Sequence, residues 1–120
     1  MRQLEAFSRS AKLKEEGIRV VAASVDTEEI ARRTIEENNV SFPVGCGFDP
    51  AYISEVTGAF YQDDPSVRGK PFLHTTDFLL QPDGVVNIAA YSTGPIGRFI
   101  WQDVVQAVQF RKEKMAAKAK

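Results

Sequence analysis

Residues 18–25 (IRVVAASV) constrain the fold more than any other stretch of the chain. The run is β-branched and almost wholly apolar, which fits a strand covered on both faces, as in a parallel sheet. Helical patterns flank it. Upstream, residues 2–16 place Leu4, Phe7 and Ala11 at helical spacing among Lys and Glu, and Gly17 closes the element. Downstream, Asp26 with Glu29 three residues on has capping-box spacing. The helix that follows turns Ile30, Ala31 and Ile35 inward and stops near Asn38 and Asn39.

The alternation continues. Residues 40–44 (VSFPV) are short and apolar, and Pro43 confines them to a strand end or an edge. Asp49 and Pro50 read as an N-cap followed by proline at the first helical position. Tyr52, Ile53 and Val56 form that helix's inner face, and Gly58 ends it. Residues 61–71 are polar and hold two prolines, which predicts a loop. Residues 72–80 form a strand and 85–91 its return, joined by Gln81, Pro82, Asp83 and Gly84 in the pattern of a type I turn. A last helix carries Trp101, Val104, Val105 and Val108 at i, i+3, i+4, i+7. This order predicts an α/β domain with parallel pairing and an antiparallel hairpin at one side.

Composition excludes several function classes. A chain of 120 residues holds one domain. With 43% hydrophobic and 26% charged residues it is neither disordered nor collagen-like. A net charge of -1 leaves no electrostatic case for nucleic acid or an acidic membrane as partner. The single cysteine, Cys46, excludes an internal disulfide framework and fits a reducing compartment. No apolar run approaches the ~18 residues of a membrane span, and residues 1–5 lack the apolar stretch of a secretion signal. The expectation is a cytoplasmic protein with no cofactor and no metal, since one His and one Cys do not make a usual zinc site.

Taken together, EEGIRVVAASVD, a capped helix, VSFPV, a second helix and FLLQPDGVV resemble the thioredoxin-like superfamily, in its peroxiredoxin-like branch (alkyl hydroperoxide reductase, thiol-specific antioxidant or redoxin). The resemblance spans residues 3–108, with 78–98 similar to the branch's terminal hairpin. It implies a thioredoxin-like sheet with flanking helices over residues 1–110, followed by a basic, frayed tail at 111–120. It implies a thiol-dependent antioxidant oxidoreductase acting on a peroxide or on a thiol/disulfide substrate. Two departures qualify the activity. The family's reactive cysteine stands at the start of the first helix, after a central strand. Here that helix begins almost at Met1, with no cysteine before Gln3 and no strand ahead of it. The expected domain is therefore truncated or degenerate, missing its first strand, and weakly active or inactive. At the position where thioredoxins carry a cis-proline and typical peroxiredoxins an arginine, this chain has Thr75. The alternative is a non-enzymatic thioredoxin-fold module that dimerises or binds partners. Without the first strand, the strands at 18–25 and 73–80 pair directly or leave open edges, which predicts a homo-oligomer through the sheet edge.

Cys46 is the one candidate catalytic residue, after a strand end and ahead of a helix start. Its competing role is that of a small residue packed in a turn. His74, Thr75 and Thr76 are candidate binding residues. A regular strand would put His74 and Thr76 on one face and Thr75 and Asp77 on the other, separating any His/Asp pair. A Cys46–His74 pair is open. Arg98 closes a loop of glycines and hydroxyls, 92–98, suited to an anion, or simply to turning the chain. The basic tail complements a helix C-terminus.

Overall fold

The computed structural model describes residues 2–64, 69, 72–93 and 96–119. It is a mixed helix and strand protein in the expected order, but several elements are shorter than their sequence patterns. The first helical segment is two helices, α1 (Arg2–Arg9) and α2 (Ala11–Glu15), because Ser10 adopts extended backbone, φ -79° and ψ 109°, between them. The close of α2 follows the sequence. Gly17 takes φ +74°. Its N–H reaches the Lys14 carbonyl at 3.0 Å and that of Ile18 the Leu13 carbonyl at 2.9 Å, the paired bonds of a Schellman ending.

The 18–25 run pairs as a strand only at β1 (Ala22–Ala23), parallel to β2 (Val44–Gly45), with Ala22 opposite Val44 and Ala23 opposite Gly45. Cover on both faces is not observed. Ile18 and Val20 pack into the helical core, whereas Val21 is 70% exposed. The crossover between the two strands is α3 (Glu28–Asn38). Its N-cap is Thr27, whose Oγ1 accepts from the Ile30 amide. Asp26, the expected cap, is engaged instead in the β1 exit loop. Its N–H donates to Ser24 Oγ and its carbonyl accepts from Gly47.

Helix α4 (Pro50–Thr57) is bounded as its sequence dictates: Asp49 caps the Tyr52 amide, Pro50 opens the first turn and Gly58 ends it at φ +81°. The expected 61–71 loop contains a strand, β3 (Tyr61–Gln62), antiparallel to β4 (Phe72–Leu73). Residues 65–68, 70 and 71 of that loop lie outside the described residues. The single strand expected at 72–80 is thereby divided. The His74 amide turns to the Phe60 carbonyl at 3.0 Å, and β5 (Thr76–Leu80) starts a separate sheet with β6 (Val86–Tyr91). The turn between β5 and β6 closes through Gly84 N–H to the Gln81 carbonyl at 2.9 Å, with Gly84 at φ +90°. Leu79 opposes Ile88 and Leu80 opposes Val86, so Asn87 is a bulge.

The last helix, α5 (Trp101–Ala119), continues through residues 111–119, where the sequence predicts a frayed tail. Lys120 lies outside the described residues. The core is where α5 meets the front of the chain. Leu13, Val104 and Val105 are buried together, with Phe7, Ile18, Val20, Leu79, Phe99 and Trp101 packed around them. Among the described residues no helix is long and apolar enough to cross a membrane.

Candidate functional site

Cys46 stands immediately after β2, half-buried. The loops that leave the two parallel strands interlock around it. Gly47, at φ +73°, donates its N–H to the Asp26 carbonyl at 2.8 Å, and the Phe48 amide approaches the Ser24 carbonyl at 3.5 Å. The ring of Phe48 lies over Gly45, where an added Cβ would come within 2.8 Å of it. On the α3 side, Arg32 donates from Nε and Nη2 to Glu28 Oε1, at 3.1 and 2.6 Å. The bond to Glu28 raises the guanidinium above its ordinary pKa. The site thus holds a thiol at the carboxyl end of a parallel strand, ahead of a capped helix. The Glu28–Arg32 pair is itself exposed and adds little stability.

No family model matches the chain, and no curated protein does.

The other candidates lie elsewhere. His74 is wedged between two rings, with centroids 5.4 Å from Phe60 and 5.0 Å from Phe72. It joins β3–β4 to β5, and no hydrogen bond or ring contact among the described residues links it to Cys46. Thr75 gives its carbonyl to the Ser92 amide, and Thr76 Oγ1 donates to the His74 carbonyl. Both serve the backbone. Arg98 is exposed on the approach to α5, and the Ser92 hydroxyl of its loop donates to the Ile96 carbonyl. Gly94 and Pro95 of the same loop lie outside the described residues. Among the described residues no group of three or more His, Cys, Asp or Glu could hold a metal ion. Two shallow clefts, about 390 and 310 Å³, contain none of these candidates; the larger is lined by Glu5, Ala6, Arg9, Ser10 and Trp101.

Asp77 has a role that pattern reading missed. Its Oδ2 accepts from the Phe99 amide at 2.8 Å and from Gln3 Nε2 at 2.8 Å, while Gln3 also reaches the Phe99 carbonyl at 3.1 Å. One carboxylate on β5 therefore fixes both the start of α1 and the entry to α5. No local spacing signals it, because the two partners lie 22 and 74 residues away in sequence.

Proposed function

We propose that this chain is a thioredoxin-like domain of the peroxiredoxin-like branch, with Cys46 as its working thiol and low turnover. The carrying observation is the place of Cys46, half-exposed after the parallel strand β2 and before the capped start of α4. The parallel β1–α3–β2 unit, the β5–β6 hairpin and the helical layer of α1, α2 and α5 are compatible with such a sheet; β1 and β5 would flank the position of its central strand. In the reaction, the Cys46 thiolate attacks one peroxide oxygen and the O–O bond breaks. Water or an alcohol leaves with a proton, and the sulfur becomes a sulfenic acid. A dithiol reductant then forms a mixed disulfide with release of water, and its second thiol regenerates Cys46. Turnover is low because Thr75 stands where typical peroxiredoxins carry the arginine that stabilises the thiolate. The cytoplasm, as a reducing compartment, suits the chemistry. Peroxide consumption with dithiothreitol, measured for the wild type and Cys46→Ser, tests it. A slow turnover abolished by Cys46→Ser is expected. A wild-type thiol no more reactive with peroxide than free cysteine overturns it.

A second reading is a module that self-associates through its strand edges. Ala22 and Ser24 donate to Pro43 and Gly45 of the β2 side, so the amides of Val21 and Ala23 point the other way, and among the described residues no ladder pairs that edge. On β5, the Ser92 amide bonds Thr75 and the Gln81 amide bonds Val85. Antiparallel alternation then aims the backbone of Thr76, Phe78 and Leu80 away from β6. Neither strand of this hairpin carries a lysine, arginine or proline to guard its edge. Light scattering across a concentration series should show a dimer that Phe78→Lys weakens and Cys46→Ser leaves intact. A monomer at every concentration rules this reading out.

A further inference from the structure

We draw no further inference here: the strongest candidate, the exposed apolar face of the β5–β6 hairpin bearing Phe78, Leu80, Val86 and Tyr91, carries nothing beyond the self-association already proposed, because nothing in the structure shows what covers it.

Discussion

Replacing Asp77 by alanine should loosen both ends of the chain at once. The carboxylate receives the Phe99 amide and the Gln3 side chain, each at 2.8 Å, from a half-buried position on β5. Loss of the hydrogen bond from the Phe99 amide costs about 1 kcal/mol. Loss of a hydrogen bond to a charged acceptor costs about 1.5 kcal/mol. Because one oxygen serves both donors the losses overlap, and about 2 kcal/mol is expected for Asp77→Ala. At this chain length that lowers Tm by about 8 °C. Asp77→Asn keeps an acceptor oxygen without the charge and should lose about half as much. The assay is urea unfolding followed by tryptophan fluorescence. Trp101 is the only tryptophan, lies in the first turn of α5 and packs on the core, so it reports on the region that follows the Phe99 anchor. Gln3→Ala should cost about 1 kcal/mol, and less when Asp77 is already alanine, since the two share one bond. A loss below about 0.5 kcal/mol for Asp77→Ala would refute the idea that this carboxylate fixes the entry to α5.

Two further perturbations test the packing of the helices. Glu16 accepts from Gln109 Nε2 and Lys112 Nζ, both at 2.9 Å, and these bonds, Gln109's first, hold its pKa below the ordinary 4.5. A depressed carboxylate stabilises the fold above its unfolded pKa and loses that contribution as the pH falls through the lower, folded value. The urea midpoint of Glu16→Gln should therefore fall below that of the wild type at pH 7, and the gap should narrow in acid, below about pH 4.5. An unchanged gap at pH 3 would contradict the linkage. Gly58→Ala forces a side chain into φ +81°, while the new Cβ meets the Tyr91 ring at an ordinary 3.6 Å. The cost is thus in the backbone, about 1 kcal/mol. It should appear as a Tm lower by about 4 °C, and an unchanged Tm would show that the α4 ending tolerates a Cβ.

Legibility followed the range of the interaction. Asp49, Pro50 and Gly58 bound α4 through contacts within a few residues, and the sequence predicts all three. Gly17 and the Gln81–Gly84 turn are local in the same way. Strand length was less legible, because a ladder depends on a partner. The 18–25 run has the composition of a covered strand, yet its first half is drawn into the helical core through Ile18 and Val20. Thr27 displaced Asp26 as a cap for a tertiary reason, since the Asp26 carbonyl is taken by Gly47 from the neighbouring strand exit. At the candidate site, the place of Cys46 after a strand and before a helix was readable. The bond from Gly47 to the Asp26 carbonyl beside it was not, because it joins the exits of two different strands. His74 drew notice as a rare titratable residue, but its surroundings depend on Phe60, fourteen residues earlier, turning back against it.

The union of α2 with α5 also bears on how the chain folds during synthesis. Leu13 finds its buried neighbours in Val104 and Val105, and Glu16 its donors in Gln109 and Lys112. These partners are separated by most of the polypeptide, so the core has high contact order and slow closure. On a ribosome, Leu13 emerges about ninety residues ahead of Val104 and Val105, the buried partners that cover it. Until α5 follows, this stretch of the nascent chain presents sticky apolar surface, and a chaperone that shields residues 7–20 should raise the folded yield more than one acting after release.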